Sequence, residues 1–239
     1  MRKLLLTTAA VAAAIAGAGC SKTPTPKSVS AMPDTLAVAI DTQTVTHDTV
    51  AVAVDTLPIK YDTLTDTRDG QTYKTVKIGQ QAWMAQNLNY KSKSWSSCYD
   101  NNETNCKKYG RLYDWETAMI VCPVGWKLPD TSDWEKLVTA VGGKETMGKK
   151  LKATNGWNDD KDGENGNGTN DYGFSALPGG YRGPLDDFYH GGDDGYWWLA
   201  SELDNGYAFI GFADYIVGVY GVMASRELGL SVRCVAKSP

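Results

Sequence analysis

The densest group of potential metal-binding side chains lies in residues 157–171, which read WNDDKDGENGNGTND. Carboxylate and amide oxygens at alternate positions are the ligands that Ca²⁺ takes in a calcium-binding loop. The first half of this stretch has that spacing, but Thr169 occupies the position that needs a bidentate glutamate. The alternative is a flexible polar loop with Asx turns. We predict no cofactor other than a structural calcium ion, whose candidate ligands are Asn158, Asp160, Asp162 and Asp171.

Aromatic residues offer a second kind of chemistry, because many of them stand among glycines and acids in the second half of the chain. Exposed rings beside carboxylates and amides can stack on sugar rings while the polar groups bind hydroxyls, although the same rings also fill small cores. Trp197 and Trp198 are neighbours in a predicted strand, so one should face inward and the other outward. The candidate ligand-binding residues are Trp157, Tyr181, Tyr189, Trp197 and Trp198.

Residues with catalytic potential are scarce. The chain has two histidines, His47 in a Thr-rich segment and His190 in the loop sequence FYHGGDD. The sequence GFSAL at 173–177 lacks the second glycine of a nucleophile elbow, and the chain contains no glycine-rich phosphate-binding loop. We therefore predict that the protein is not an enzyme, and we keep a cryptic enzyme as an alternative.

The candidate side chains have to be positioned by a domain with both helices and strands. Apolar residues at i, i+3, i+4 and i+7 predict a helix over residues 133–141, which Asp130 or Ser132 can cap. Alternation predicts a strand at Thr72–Ile78 with a hairpin partner at 82–88. A short helix is predicted at 114–120, and further strands at 196–200, 207–212 and 230–235. These patterns are typical of a loop-rich α+β fold.

Four cysteines stand in this part of the chain. In an exported protein they predict two disulfides, which can pair in three ways. Cys98 and Cys106 bracket the polar sequence YDNNETN, so a bridge between them would close a local loop. We therefore predict the pairs Cys98–Cys106 and Cys122–Cys234, which would brace a single domain. Metal ligation is the alternative, but the spacing fits no zinc pattern.

The amino-terminal residues predict export and lipid attachment. Arg2 and Lys3 precede an uncharged apolar run, and small residues then lead to Cys20. A run of about a dozen apolar residues is too short to span a bilayer and suits a signal peptide. The sequence GAGC resembles the bacterial lipobox, whose cysteine is acylated after cleavage, although Gly17 stands where that motif prefers leucine. The alternative is an ordinary secretory signal. Ser21 after the cysteine favours the outer membrane, facing either the periplasm or the cell surface.

The segment that follows Cys20 predicts a spacer. Asp-Thr recurs at 34, 41, 48, 55 and 62, a strict period of seven. β-branched Thr and Val dominate the repeat, which disfavours a coiled coil, and an odd period turns a strand over at every repeat. We predict a signal peptide at 1–19, a lipid-anchored spacer at 20–65 and one domain at 66–239. Cleavage removes two basic residues and leaves 22 basic against 28 acidic groups, so we predict no nucleic-acid partner.

A series of ordered motifs resembles a known family. They read DGQTY at 69–73, VKIG at 76–79, QAWMAQNL at 81–88, YGRLY at 109–113, CPVGWKLP at 122–129, YGFSALPGG at 172–180 and SVRC at 231–234. In order and spacing they resemble the Fibrobacter succinogenes major paralogous domain, over roughly residues 66–236. The resemblance implies an exported, lipid-anchored bacterial protein, and it leaves the activity open because the family has no established one.

A looser similarity concerns the fold. The Gly-Trp-x-Leu-Pro turn, the helix after it and the closing Val-Arg-Cys strand are similar to formylglycine-generating-enzyme-like (sulfatase-modifying-factor-like) and C-type-lectin-like domains. This similarity implies a single loop-rich domain whose two chain ends meet in one sheet. The resulting prediction is a cell-envelope lipoprotein that displays a non-catalytic binding domain for glycans or other surface polymers. The alternative is a structural lipoprotein that contacts other envelope proteins. In both cases the lipid would join the protein to the membrane.

Overall fold

The computed structural model describes residues 58–203, 207–213 and 221–237, and these form an α+β domain, as predicted. The predicted signal peptide, the predicted acylation site Cys20 and most of the predicted spacer lie outside the described residues. Within the described part, no helix is both long enough and apolar enough to cross a membrane.

The first sheet begins with an antiparallel meander of β1 (Tyr61–Thr65), β2 (Thr72–Ile78) and β3 (Gln81–Met84). Among the described residues its strand order is β1-β2-β3-β12-β5, completed by β5 (Trp126–Lys127) and β12 (Val235–Ala236). Strand β2 matches the prediction, whereas its hairpin partner is shorter than predicted. Strand β1 comes from the end of the predicted spacer and pairs with β2 along its whole length, so the sheet begins before residue 66.

The second sheet contains the strongly aromatic half of the domain. Its described strands are β4 (Leu112–Tyr113), β6 (Gly179–Arg182), β7 (Phe188–Gly191), β8 (Gly195–Leu203), β9 (Tyr207–Ala213), β10 (Gly221–Ser225) and β11 (Leu230–Ser231). They run in the order β10-β9-β8-β11-β4, and the hairpin β6–β7 joins the sheet through β8. The predicted strand at 230–235 is in fact two short strands, one in each sheet.

Four α-helices occur in the described chain: α1 (Glu103–Tyr109), α2 (Trp115–Ala118), α3 (Thr131–Ala140) and α4 (Lys144–Leu151), with a 3₁₀ turn at Tyr99–Asn101. Helices α2 and α3 confirm the two predicted helices, although α2 is shorter than the predicted 114–120. Asp130 accepts a hydrogen bond from the Asp133 backbone N–H, and the Asp133 side chain accepts one from the Asp130 N–H, which makes a capping box. Helices α1 and α4 were not predicted, since neither has a long apolar stripe.

Two apolar clusters fill the interior. One contains Trp83, Trp134 and Trp197, and the other contains Met84, Tyr113 and Trp198. The neighbours Trp197 and Trp198 therefore belong to opposite clusters, and both are almost completely buried. The prediction that one of them faces outward is wrong, because both faces of β8 are covered at this point.

Both predicted disulfides are present, Cys98–Cys106 and Cys122–Cys234. The first ties the 3₁₀ turn to α1, and the second connects the loop after α2 to the segment between β11 and β12. The alternative interpretation, metal ligation by these four cysteines, is therefore wrong, because their sulfurs are bonded in pairs.

Candidate ligand-binding surface

The candidate calcium ligands do not converge. Asp160 Oδ1 accepts hydrogen bonds from the backbone N–H groups of Asp162 and Glu164, at 2.9 and 2.8 Å, and so closes a polar turn. Asn158 donates from Nδ2 to Asp193 Oδ1 at 2.9 Å, and Asp171 is exposed. The arrangement matches the alternative of a loop built from Asx turns.

Three side chains of types that can bind a metal lie close together among the described residues, namely Cys98, Glu103 and Cys106. Its cysteines form a disulfide, so they offer no thiolate to a metal ion. Asp160, Asp162 and Asp171 form no such group.

Three of the five candidate ligand-binding residues are core residues. Trp157, Trp197 and Trp198 are each at most 4% exposed. Their indole N–H groups donate inside the domain, to Ala176 O at 3.0 Å, Asn87 Oδ1 at 2.9 Å and Tyr113 O at 2.7 Å. A buried indole with a satisfied N–H has no ring face for an external ligand. The prediction of a ligand contact is therefore wrong for these three tryptophans.

The other two candidates, Tyr181 and Tyr189, lie together at the surface. They are directly paired in the β6–β7 hairpin, and their rings stack with centroids 5.1 Å apart and planes 26° apart. The Tyr189 side chain is 43% exposed. His190 stacks on Tyr181 at 5.7 Å, and Tyr196 meets the Tyr181 ring edge-on at 5.3 Å. We call these four residues the tyrosine shelf.

A buried carboxylate supports the shelf. Asp194 Oδ2 accepts a hydrogen bond from the Tyr196 hydroxyl at 2.8 Å and lies 2.7 Å from His190 Nδ1. This contact orients the imidazole and makes Nε2 the acceptor nitrogen of the neutral ring. Burial, helped by Tyr189 and Asp194, raises the pKa of Tyr181, so its hydroxyl stays protonated. The shelf thus presents ring faces, hydroxyls and an oriented imidazole together.

The hairpin that carries the shelf depends on a close approach at Gly180. A Cβ at this position would lie 2.3 Å from the carbonyl oxygen of Tyr189 and 2.7 Å from the Tyr99 ring, and the backbone φ is +59°. Only glycine therefore lets β6 run this close to β7. The Tyr99 hydroxyl accepts a hydrogen bond from the Gly191 N–H at 3.0 Å, which fixes the far end of the hairpin.

The candidate ligand-binding residues predicted from the sequence did not include two members of the shelf, His190 and Tyr196, or the supporting Asp194. The signal was their position within the seven residues 190–196, directly after Tyr189. They meet because His190 has a left-handed backbone with φ of 60°, which is uncommon for a residue other than glycine. The chain turns at His190, and this brings the side chains of His190 and Asp194 together.

The family comparison agrees with the ordered motifs. The family model described as the Fibrobacter succinogenes major domain matches residues 76–236. No curated protein and no solved structure matches the chain. The similarity to C-type-lectin-like and formylglycine-generating-enzyme-like domains stays a prediction.

Proposed function

The chain belongs to the Fibrobacter succinogenes major domain family, and we propose that it is a cell-envelope lipoprotein that displays this domain as a non-catalytic binding module for glycans. The observation that carries the proposal is the tyrosine shelf, where an exposed ring stacks on a second ring beside hydrogen-bonding groups. Sugar rings present flat C–H faces to aromatic rings and hydroxyls to polar neighbours.

The polar groups beside Tyr189 suit a ligand rich in hydroxyls. The Tyr189 hydroxyl lies 3.5 Å from Asp187 Oδ2, and the exposed carboxylates of Asp186 and Asp187 are on the same hairpin. Arg182 forms an ion pair with Asp186, and its guanidinium lies 4.5 Å from the centre of the Trp95 ring. Carboxylates accept hydrogen bonds from hydroxyl groups, so these side chains can bind the hydroxyls of an uncharged sugar.

The glycan proposal is tested on a glycan array with the wild type, Y189A and L185A. Leu185 is 85% exposed on the same hairpin, so L185A is the matched control for truncation of a surface side chain. We expect Y189A to weaken binding roughly tenfold, which corresponds to about 1.4 kcal/mol, and L185A to leave binding unchanged. Equal binding by Y189A and the wild type would show that the tyrosine shelf is not the glycan site. If the wild type bound no glycan, the glycan proposal itself would be contradicted.

The proposed location rests on Cys20. Acylation there would hold the mature protein to a membrane, because each buried methylene contributes about 0.8 kcal/mol. Ser21 favours the outer membrane, and the repeat after it would hold the domain away from the lipid surface. Mass spectrometry of the amino-terminal peptide tests this, since acyl chains on Cys20 are expected and an unmodified terminus contradicts it.

The alternative of an enzyme centres on His190 and Asp194, a histidine oriented by a carboxylate. We favour binding, because His190 stacks on Tyr181 within the shelf and is half exposed. Glycans that bind on the array are incubated with the wild type and with H190Q, and their lengths are then measured. Intact glycans are expected in both samples. Cleavage by the wild type but not by H190Q would show that the protein is a glycan-hydrolysing enzyme.

Contact with other envelope proteins is a second candidate function. The loop around Cys122 exposes Met119, Ile120 and Val124, with side chains that are 41%, 73% and 93% exposed. Clustered exposed apolar residues mark protein interaction sites. This function would be favoured if a defined envelope protein co-purified with the wild type and did not co-purify with the double variant I120D/V124D.

A further inference from the structure

We propose that a polar cavity between β2 and the carboxyl end of α1 is a second ligand site, separate from the tyrosine shelf, and that it binds an acidic sugar. The cavity has a volume of about 420 Å³. Pockets of roughly 300–1,000 Å³ hold small ligands. We call it the lysine cavity, because Lys74, Lys107 and Lys108 are in its wall.

The charge of the wall selects an anion. Of the described residues that line the cavity, three are lysines and none is acidic. The whole chain has the opposite balance, with 28 acidic against 24 basic residues. A recess lined by charge of one sign concentrates its potential and attracts a ligand of the other sign.

The lysines come from two separate elements. Lys74 is on β2, with its ammonium nitrogen 5.3 Å from the centre of the Tyr61 ring. Lys107 and Lys108 are in the last turn of α1, and the Lys108 ammonium lies 4.5 Å from the centre of the Tyr109 ring. Lysines in a last turn also interact favourably with the helix dipole. That effect does not explain Lys74, which faces the same cavity from a strand.

A buried cation lies beneath the cavity. Asn87 lines the cavity and is buried, and its side-chain oxygen accepts hydrogen bonds from Arg233 at 3.0 and 2.7 Å. Arg233 is fully buried, and no carboxylate in the described part of the chain lies within 4.0 Å of its guanidinium. Its charge therefore adds to that of the lysines, since no neighbouring anion neutralises it.

The uncharged groups in the wall fit a sugar. Asn89 lines the cavity, and its Oδ1 is a buried acceptor that has no hydrogen-bond partner among the described residues. A buried polar atom without a partner costs free energy, which a ligand hydroxyl would recover. The amides of Gln71 and Gln86 and the rings of Tyr61 and Tyr73 complete this part of the wall. In a ligand with hydroxyls and one carboxylate or sulfate, the hydroxyls would bind the amides and the anionic group would bind the lysine ammonium groups.

Calorimetric titration of the full chain tests the proposal. The probes are galacturonic acid, an oligogalacturonate, a sulfated oligosaccharide and the neutral gluco-oligosaccharide of equal length. We expect the acidic probes to bind and the neutral one to bind at least tenfold more weakly. Binding of the monosaccharide would indicate a free sugar acid as ligand, and binding of the oligomers alone would indicate a residue within an acidic polysaccharide. Failure of every acidic probe to bind would overturn the proposal.

Matched variants separate the cavity from general surface charge. The triple variant K74Q/K107Q/K108Q is expected to lose at least tenfold in affinity. The control K91Q/K93Q/K161Q removes the same charge from other exposed lysines and should bind as the wild type does. Equal loss in both triple variants would contradict the site. Thermal unfolding of each variant confirms that it is folded, and Y189A should leave this binding unchanged, because the shelf is a different surface.

Discussion

The side-chain oxygen of Asn87 accepts hydrogen bonds from Nε and Nη2 of Arg233, a residue 146 positions later in the chain. The guanidinium also donates to the carbonyl oxygens of Phe174 and Ser175. Burial lowers the pKa of Arg233 from 12.5 to about 9, which is still above neutral pH. Arg233 is therefore a buried cation that is solvated by one amide oxygen and by backbone carbonyls.

The first prediction concerns Asn87→Leu. This change removes the acceptor for Arg233 and for the Trp197 indole, and it removes the donor to the carbonyl oxygen of Tyr109. Each orphaned buried group costs about 1–3 kcal/mol, and more when it is charged. We expect the free energy of unfolding to fall by at least about 3 kcal/mol in urea titrations.

The exposed Asn155 provides the control for this change. Asn155→Leu should stay within about 0.5 kcal/mol of the wild type. Asn87→Asp keeps an acceptor that faces Arg233, so it should lower the free energy of unfolding less than Asn87→Leu does. Equal stability of Asn87→Leu and Asn155→Leu would mean that the hydrogen bonds at Asn87 stabilise nothing measurable.

The second prediction compares two glycines with similar positive φ angles, Gly110 at φ +79° and Gly125 at φ +83°. A Cβ at Gly110 would lie 2.8 Å from Asn87 Cβ and 2.8 Å from the Leu88 carbonyl oxygen, whereas no described atom is within 4 Å at Gly125. Gly125→Ala should cost about 1–2 kcal/mol from backbone strain alone. Gly110→Ala should cost about 1–3 kcal/mol more, because the backbone must move. Equal urea midpoints would show that the contact at Gly110 relaxes freely.

The third prediction concerns the disulfides, which close loops of very different length. The cysteines of the Cys122–Cys234 bond are 112 residues apart in sequence, and those of Cys98–Cys106 are 8 apart. The chain-entropy model gives about 5 kcal/mol for the long loop and about 2.5 kcal/mol for the short one. We expect C122A/C234A to unfold at a much lower urea concentration than C98A/C106A. The reverse order would show that local strain, rather than chain entropy, decides the effect.

The fourth prediction concerns acid stability. Burial opposes the ionisation of Asp66, but hydrogen bonds from the side chain and backbone of Arg68 outweigh it and lower the pKa of Asp66 below 3.8. The folded state thus binds this proton less readily than the unfolded state does. The stabilisation is complete above pH about 3.8 and is lost as the pH falls through the folded pKa.

Asp66→Asn should therefore lower the free energy of unfolding at pH 7 by about 1–3 kcal/mol, and the difference from the wild type should shrink toward pH 2. Urea titrations at pH 7, 4 and 2 measure this. Arg68→Gln should show the same trend, since it removes the other half of the pair. Parallel stability curves for the wild type and Asp66→Asn at every pH would contradict the prediction.

Local patterns were sufficient for part of the fold. The alternation in β2, the apolar stripe and cap of α3 and the pairing of the four cysteines were all predictable, because each depends on residues near in sequence or on simple pairing. Strand β1 was missed because Asp62 and Thr63 continue the Asp-Thr repeat, and only pairing with β2 reveals the strand. The burial of both Trp197 and Trp198 depends on what covers each face of β8, and alternation cannot show this.

The candidate site was predictable only in its aromatic half. Tyr181 and Tyr189 were named because they stand among glycines and acids, and the structure pairs them across one hairpin. The role of His190 depends on a left-handed backbone that places it against Asp194. The lysine cavity combines β2, α1 and the segment after β3, so no single stretch of sequence carries its signal.

The segment from Leu230 to Ala236 pairs with β8 and β4 through β11, and with β3 and β5 through β12. A polypeptide that emerges amino end first therefore leaves β8 and β3 open on one side, and β4 and β5 without their neighbouring strand, until residues 230–236 appear. Open strand edges readily pair with other chains. Neither sheet is complete in a nascent chain that stops before residue 230, so these strands can pair with neighbouring chains until residues 230–236 have been made.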